Sequence, residues 1–326
     1  MSRVLVTGAT GFIGSHLTAA LLSEGFTVRA FHRPDSNTLL LKQLPVEHSL
    51  GDIRDAEAVR SAVRGCEHVF HTAALVSFWK KKKAEQLEIN IGGTRNVVAA
   101  CLQEGIASLV HTSSVAALGS RRDGGLIDET TAFNWDAHIT YKYSKHRAEL
   151  EVLDAVARGL DAKIVNPTVI IGPGDIRLHG GQLVRDIGRG HIPAYVAGGM
   201  NIVGVHDVVR GHLAAARRGK PGQRYVIGGY NVTHKEAFEL VARVLGKPGP
   251  RFAAPVWSVR ALAKACDAFG AITGREPWIT SELISGIGMN NWYSIEKARR
   301  ELGYEPSPIE PAIRETYDWY EKNGML

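Results

Sequence analysis

The fold is decided near the N-terminus, where residues 4–14 read VLVTGATGFIG. An apolar, strand-like run leads into Gly8, which permits a tight turn out of the strand. Gly11 allows the backbone to approach a pyrophosphate, and Gly14 allows the following helix to lie close to the strand. The N-terminus of that helix would offer free N–H groups and a positive dipole end to phosphate. The stretch therefore predicts a dinucleotide-binding turn. Its candidate cofactor contacts are Gly8, Thr10, Gly11, Phe12, Ile13 and Gly14.

Strand-like and helix-like segments alternate through the first half of the chain. Strands are predicted over 4–7, 27–31, 46–49, 66–71, 108–112 and 163–166, and helices over 12–24, 84–104 and 140–157. Short, apolar, β-branched strands separated by helices are typical of a parallel sheet that is buried on both faces. Because crossovers in such a sheet are right-handed, the pattern predicts an α/β fold with a doubly wound, Rossmann-type sheet.

The pattern loosens after Gly172-Pro173-Gly174, where a smaller lobe is expected. Helices are predicted over 182–189, 207–218, 235–245, 256–269 and 294–302, and a strand over 223–227. Thr233 and Glu236 are spaced as a capping box for the helix that follows them. We expect residues 1–172 to form the dinucleotide-binding domain, with segment 203–227 returning to it. Residues 173–326 would be mainly a substrate-binding lobe.

The bulk composition is that of an ordinary globular protein, with 44% hydrophobic and 22% charged residues among 326. No apolar run approaches the roughly 18 residues that cross a bilayer. A strand-like run from Ser2 to Val6 leaves no room for a signal peptide. The three cysteines lie far apart, without metal-ligand spacing. We therefore expect a cytoplasmic protein without a membrane span, disulfide or metal site.

The net charge of +6 permits an anionic ligand without demonstrating one. Its densest basic run is Lys80–Lys83, which is compatible with a phosphate or nucleic-acid patch and also with the solvated start of a helix. Because no aromatic or arginine residues interleave the run, the helix start is favoured and no nucleic-acid partner is expected.

A second pattern carries the chemistry. Tyr141 and Lys145 are four residues apart and share one face of the predicted helix. A free tyrosine has a pKa of about 10, but a neighbouring ammonium and the positive nicotinamide ring favour its phenolate. Lys145 could also hydrogen-bond the nicotinamide ribose. Ser114 follows the fifth strand, where it would hydrogen-bond the substrate oxygen. The predicted catalytic set is Ser114, Tyr141 and Lys145, with Tyr141 as general acid and base.

Two neighbouring residues compete for these roles. Ser113 is the rival of Ser114, and Tyr143 is the rival of Tyr141. Tyr141 is favoured because its i+4 residue is a lysine, whereas that of Tyr143 is Arg147.

The glycine spacing, together with several further motifs, resembles the extended, epimerase/dehydratase-like branch of the short-chain dehydrogenases/reductases. The further motifs are GDIRD at 51–55, HTAA at 71–74, NIGGTRN at 90–96, TSS at 112–114, YKYSK at 141–145, GPG at 172–174 and KARRELGY at 297–304. The resemblance covers essentially the whole chain. Counting back from Gly119, as the family pattern suggests, favours Ser114 over Ser113.

The resemblance also implies where a cofactor would lie. Asp52 and Ile53 would flank the adenine, and Tyr141 and Lys145 would contact the cofactor as well. Residues nearer the nicotinamide would be Ala73, Ala74, Pro167 and Thr168. The family further implies a possible homodimer through the helices that follow the fourth and fifth strands.

NADP(H) is the preferred cofactor, with NAD(H) possible. An NAD enzyme usually has an acidic residue near the end of the second strand, to bind the ribose 2′-hydroxyl. Here residues 29–33 read RAFHR, and the first acid is Asp35. Arg33 suits a 2′-phosphate as a planar, permanently charged donor. The alternative is that Arg33 only ends the strand at the surface.

Three functions compete. The first is an oxidoreductase of ketones, aldehydes or secondary alcohols, similar to dihydroflavonol reductases and 3β-hydroxysteroid dehydrogenases. The second is a nucleotide-sugar epimerase or dehydratase, and the third a non-catalytic NADP-binding sensor. Sugar-nucleotide members usually carry an arginine just before a Val-x-Asp segment, but residues 198–204 contain none. They also often have an asparagine where this chain has Val169, although Arg177 or Arg185 could compensate. A complete catalytic set disfavours the sensor.

Segments 166–168, 190–196 and 201–203 also resemble bacterial proteins labelled hopanoid-associated sugar epimerases. Those labels rest largely on gene context, so this likeness favours the dihydroflavonol-reductase-like branch more than sugar chemistry.

Overall fold

The computed structural model describes residues 2–121, 123–190, 192 and 194–326. His191 and Pro193, from the segment that resembles the hopanoid-associated proteins, lie outside the described residues. The strands are β1 (Arg3–Thr7), β2 (Thr27–His32), β3 (Glu47–Leu50), β4 (His68–His71), β5 (Ser108–Thr112), β6 (Ala162–Pro167), β7 (Val169–Ile171), β8 (Ala194–Val196), β9 (Gly199–Gly204), β10 (Arg224–Ile227), β11 (Tyr230–Thr233) and β12 (Phe252–Ala254). The helices are α1 (Phe12–Ser23), α2 (Ala56–Val63), α3 (Lys83–Leu87), α4 (Gly93–Glu104), α5 (Thr140–Ala157), α6 (Gln182–Gly188), α7 (Val205–Arg218), α8 (His234–Leu245), α9 (Val256–Thr273), α10 (Glu296–Leu302) and α11 (Glu310–Lys322).

A seven-stranded sheet forms the body of the protein, in the order β10-β6-β5-β4-β1-β2-β3. Every pair in it is parallel. Alternate residues of β1 enter the cores on the two faces: Val4 and Val6 pack in one cluster and Leu5 in the other. The sheet is therefore buried on both faces, and the predicted doubly wound α/β fold is confirmed.

Segment 203–227 joins this body from the second half of the chain. β10 pairs with β6 at the edge of the sheet. α7 packs against α1, and its Val208 and Val209 lie in the same core cluster as Val4 and Val6.

The helix predicted over 84–104 is interrupted. A wide helical turn, Glu88–Gly92, separates α3 from α4. The buried Asn90 side chain accepts a hydrogen bond from the Leu75 backbone N–H at 2.8 Å and donates to the Ser144 hydroxyl at 2.9 Å. Wide turns of this kind are frequent at functional sites. This one fixes Asn90 between the segment after β4 and the helix that carries Tyr141.

The smaller sheets of the second half were missed in the prediction. β11, β9 and β7 form one sheet, and β12 pairs with β8 in another. Strands β7, β8, β11 and β12 have only three or four residues and show too few alternations to be recognised. The longer β9 has glycine at both ends. Helices α2 and α11 were also missed, and α9 runs to Thr273 rather than 269. The capping box before α8 is confirmed, because Thr233 and Glu236 each bond the other's backbone N–H.

Lys80–Lys82 form a short helical turn that leads directly into α3, so the helix start predicted for the lysine run is confirmed.

None of the helices in the described part of the chain is long and apolar enough to cross a membrane.

The contact between β1 and α1 yields a stability prediction. A Cβ on Gly14 would stand 2.2 Å from the Gly8 carbonyl oxygen. We expect Gly14→Ala to lower the free energy of unfolding by about 1–3 kcal/mol, because backbone must move to make room. Urea unfolding measures the change.

Gly92→Ala is the matched control. Gly92 has a helical φ of −61°, and a Cβ there would meet nothing within 4 Å. This variant should be unchanged or stabilised by up to about 1 kcal/mol. Equal losses in the two variants would contradict the assignment of the tight contact to Gly14.

Candidate active site

The sequence-predicted site residues lie at one edge of the seven-stranded sheet. Because the strands are parallel, their carboxyl ends meet at the same edge, where sheets of this kind bind ligands. Gly8 follows β1, Arg33 follows β2, Asp52 and Ile53 follow β3, Ala73 and Ala74 follow β4, Ser114 follows β5, and Pro167 ends β6 with Thr168 next.

The turn after β1 is shaped by backbone contact. Gly8 has a φ of +68°, and a Cβ there would lie 2.7 Å from the Ala73 Cα atom. Gly11 precedes α1 in extended conformation, with no side chain capping the helix. The turn thus leaves a side-chain-free cradle at a helix N-terminus, which fits the pyrophosphate of a dinucleotide.

The expected adenine end lies beyond β3. Ile53 is buried, its Cδ1 atom would lie 2.4 Å from a Cβ on Gly93, and its carbonyl accepts a hydrogen bond from Asn96 at 2.9 Å. Asp52 pairs with Arg54 at 2.7 Å, and the hydrogen bond from Arg54 holds the pKa of that carboxyl below its usual value. The Asp52 carboxyl is therefore charged near neutral pH.

Arg33 lies near this end of the site. Its positive charge also contributes to the lowered pKa of Asp52. The guanidinium lies 3.3 Å from the exposed carboxylate of Asp35 and is itself partly exposed. Such a solvated pair is weak.

Tyr141 stands in the first turn of α5, and Ser114 lies close to it. The Phe78 ring packs edge-on against Tyr141 with 5.5 Å between ring centroids. Burial raises the pKa of the Tyr141 phenol, and the neighbouring Ser114 hydroxyl offsets this only in part. The sequence predicted a lowered pKa for Tyr141, and the protein groups alone do not produce that lowering.

Lys145 is buried one turn further along α5. Its ammonium donates to the Thr112 carbonyl at 2.8 Å. Burial lowers the pKa of Lys145 to about 8, against an opposing effect of the Glu149 carboxylate. Lys145 is therefore charged at neutral pH and held at the end of β5, immediately before the Ser113-Ser114 pair.

A buried polar network holds Ser114 from behind. Asn166 on β6 donates to the Ser114 carbonyl at 2.9 Å and to the Glu149 carboxylate at 2.6 Å. Glu149 in turn pairs with Arg224 on β10 at 2.8 Å. The position of Ser114 is thus fixed by residues on two further strands.

The rival residues face elsewhere. The Ser113 hydroxyl is buried near the Glu149 carboxylate and has no hydrogen-bond partner among the described residues, whereas the Ser114 hydroxyl lies near Tyr141. Tyr143 contacts Arg147, whose guanidinium lies 3.3 Å from the phenol oxygen at the surface. The choice of Ser114 and Tyr141 over these two residues stays a prediction.

Histidines beside the site are held as neutral packing groups. His71 lies between the hydroxyls of Thr7 and Thr94, at 2.7 and 3.0 Å. Burial lowers its pKa to about 3, and that of His212 to about 4.

Thr168, expected to line the cofactor, donates its hydroxyl to the Asn201 side-chain oxygen at 2.8 Å.

Glu282 contacts Tyr141 and was not predicted from the sequence. Its carboxylate accepts a hydrogen bond at 2.8 Å from the backbone N–H of Tyr141, in the first turn of a helix that no adjacent side chain caps. Glu282 lies 141 residues further along the chain, so no local pattern could reveal it. Its charge also opposes the effect of burial on Lys142, whose pKa burial lowers to about 7.

A glycine turn at the carboxyl edge of a parallel sheet, with Ser114, Tyr141 and Lys145 beside it, defines the class of nicotinamide-dependent oxidoreductases. Residues 4–228 match the model of the NAD dependent epimerase/dehydratase family. The chain belongs to this family, within the extended short-chain dehydrogenases/reductases, and is an enzyme that acts on CH–OH or C=O groups.

Named relatives span nearly the whole chain. A Synechocystis protein assigned by name to dihydroflavonol 4-reductase is 36% identical over 98% of this chain and 95% of its own length. Sterol demethylase protein B of Methylococcus capsulatus is 33% identical over 99% of each chain. Among solved structures, a nucleoside-diphosphate-sugar epimerase of Pseudomonas aeruginosa is 26% identical, with a TM-score of 0.82 over 100% of this chain and 99% of that one.

The contact between Glu282 and Tyr141 yields a second prediction. Glu282→Ala removes the acceptor for a helix N-terminal N–H, so we expect a loss of about 0.5–2 kcal/mol in the free energy of unfolding. Glu282→Gln keeps an acceptor and should lose less. Glu276→Ala removes an exposed carboxylate from the same segment and serves as the control. A loss in Glu282→Ala no larger than in Glu276→Ala would show that the capping bond contributes nothing.

Proposed function

We propose that this protein is an NADP(H)-dependent oxidoreductase of the dihydroflavonol-reductase-like type. It would transfer hydride between the cofactor and a ketone, aldehyde or secondary alcohol. The observation that carries the proposal is the closeness of the Ser114 hydroxyl to the Tyr141 phenol, with the Lys145 ammonium buried one helical turn further along α5 and bonded to the end of β5. The names of the Synechocystis and Methylococcus relatives, a reductase and a sterol-modifying protein, support small carbonyl or alcohol substrates.

Tyr141, Ser114 and Lys145 would have separate roles in the proton transfer. When bound, the cofactor supplies or accepts the hydride. In reduction, the Tyr141 phenol donates its proton to the carbonyl oxygen, which the Ser114 hydroxyl holds by a hydrogen bond. The raised pKa of Tyr141 keeps the phenol protonated and ready to donate. The phenolate left behind is stabilised by positive charge, which Lys145 provides from a position fixed by Thr112.

In the proposed organisation, residues 1–172 with segment 203–227 bind the dinucleotide, and residues 173–326 mainly bind substrate. The side-chain-free cradle at Gly8 and Gly11 supports the first assignment. Arg33, weakly paired with Asp35, would bind the 2′-phosphate and so select NADP(H) over NAD(H). We also propose a cytoplasmic homodimer that uses α4 and α5.

A nucleotide-sugar epimerase is the second candidate, and the Pseudomonas aeruginosa structure favours it. The described residues speak against a diphosphate substrate. Val169 begins β7 and packs in an apolar cluster, and β9 carries no arginine. Of the two arginines that could compensate, Arg185 is already paired with Asp186 at 2.7 Å. A sensor without catalysis is the third candidate, but it has no use for the Ser114–Tyr141 arrangement.

Loss of the Tyr141 hydroxyl tests the mechanism. We expect the wild-type protein to oxidise NADPH with members of a panel of ketones and aldehydes. Tyr141→Phe should lower kcat by about 10²–10⁴-fold, because the proton donor is lost. NADPH binding, followed by fluorescence titration, should remain nearly unchanged.

Tyr143→Phe removes the neighbouring phenol and should leave kcat close to wild type. Equal loss in both variants would contradict the assignment of Tyr141. Turnover of UDP-hexoses without net cofactor change would favour the epimerase. Tight NADPH binding with no turnover of any substrate, unaffected by Tyr141→Phe, would favour the sensor.

Arg33→Ala tests the cofactor. Removing a charge-assisted bond to the 2′-phosphate should raise the Kd for NADPH by about tenfold or more and leave that for NADH nearly unchanged. Arg60→Ala removes an exposed guanidinium on α2, which pairs with Glu104, and should change neither Kd. Equal weakening of NADPH and NADH in Arg33→Ala would end the NADP(H) assignment.

A further inference from the structure

Helix α9 turns large apolar side chains towards solvent. Of its 18 residues, only Ala263 and Gly270 are buried. Trp257, Phe269 and Ile272 are 72%, 63% and 86% exposed. Trp278, just beyond the helix, is 70% exposed. The helix therefore rests on the body along a strip of small residues and presents an unpartnered apolar face.

Exposed basic residues lie on this helix and next to it. Arg260 and Lys264 on α9, Arg251 before it and Arg275 after it are all exposed. The lysine run lies against the end of the helix, since the Lys81 ammonium is 3.3 Å from where a Cβ on Gly274 would stand. We call these residues, together with the exposed apolar ones of α9 and Trp278, the α9 surface.

Carboxylates of this segment are largely engaged. Asp267 is half-buried and accepts a hydrogen bond from the Ser281 N–H at 3.1 Å. Glu282 caps the first turn of α5. Between residues 251 and 282, all of them described, this leaves Glu276 as the exposed carboxylate. The α9 surface thus combines exposed apolar side chains with exposed charges that are mostly positive.

The α9 surface lies close to the candidate site. Phe78, which packs on Tyr141, is followed at once by Trp79 and the lysine run. Glu282 connects the segment after α9 to the Tyr141 backbone. Whatever covers this surface therefore lies beside the site and not on the far side of the sheet.

The charges of the α9 surface indicate which kind of partner would cover it. A second copy of the chain in a two-fold interface would bring the same basic surface against itself, and like charges would repel. A helix with Trp, Phe and Ile on one face and Lys and Arg around them is typical of segments that lie in a membrane interface. Anionic headgroups would neutralise the basic residues, while the apolar side chains enter the acyl boundary.

We propose that the α9 surface docks the protein onto the face of an anionic lipid bilayer, without spanning it. The proposal is independent of the proposed function, because docking requires no catalysis. It places the candidate site at the membrane surface, where a lipid-dissolved substrate would reach it without crossing water.

Vesicle flotation with the full chain tests this. Vesicles of phosphatidylglycerol and phosphatidylcholine in equal parts should bind the protein, binding should fall as salt is raised, and pure phosphatidylcholine should bind far less. Ile272→Ser with Phe269→Ser should reduce binding by about tenfold or more, because inserted apolar area is lost. Lys80→Gln with Lys81→Gln should reduce binding to anionic vesicles by about fivefold for each charge removed.

Leu50→Ser, on the edge strand β3, removes a leucine that is also exposed and should leave vesicle binding unchanged. NADPH binding and thermal unfolding of each variant establish that it is folded. No binding of anionic vesicles by the wild-type protein would overturn the proposal. So would equal loss in Leu50→Ser and the α9 variants. A fall in oligomeric mass of the α9 variants, without vesicle binding by the wild type, would assign the surface to self-association instead.

Discussion

The approach of α1 to β1 is the constraint on which the rest of the structure depends. A side chain at Gly14 would collide with the Gly8 carbonyl, and one at Gly8 would collide with the backbone at Ala73. Both positions must be glycine so that the strand, the helix and the next strand of the sheet can meet at one point. This contact creates the side-chain-free turn. It also sets the position of β1 relative to the other parallel strands, whose ends place Ser114 and Pro167 at the same edge of the sheet.

The second organising feature is the polar network beneath that edge. Asn166, Glu149 and Arg224 come from β6, α5 and β10, and a hydrogen bond and an ion pair join them. Burying such groups is unfavourable unless they are paired, so these two contacts favour one arrangement of the three elements. The network therefore fixes the strand end at Ser114 relative to the helix carrying Lys145, which is the alignment that the proposed chemistry needs.

The sequence predicted those elements whose structure depends on residues close together in the chain. The bounds of β5 and α5 coincide with the prediction, and the turn at Gly8 is where its spacing placed it. The interruption at Asn90 could not be predicted, because its cause is a set of bonds to Leu75 and Ser144 that only the folded chain brings together. The same holds for the raised pKa of Tyr141, which results from enclosure by residues such as Phe78. Strands of three residues in the second half carry too little pattern to be found.

The bond between Glu282 and the Tyr141 N–H has a consequence for how the protein is made. When the first turn of α5 leaves the ribosome, the carboxylate that will accept the Tyr141 N–H does not yet exist. Glu282 is synthesised 141 residues later. At about 5–20 residues per second, that interval lasts roughly 7–28 seconds. A nascent chain can thus complete most of its parallel sheet and still present an uncapped helix at Tyr141. The first turn of α5 therefore gains its capping carboxylate only late in translation, once residue 282 has emerged.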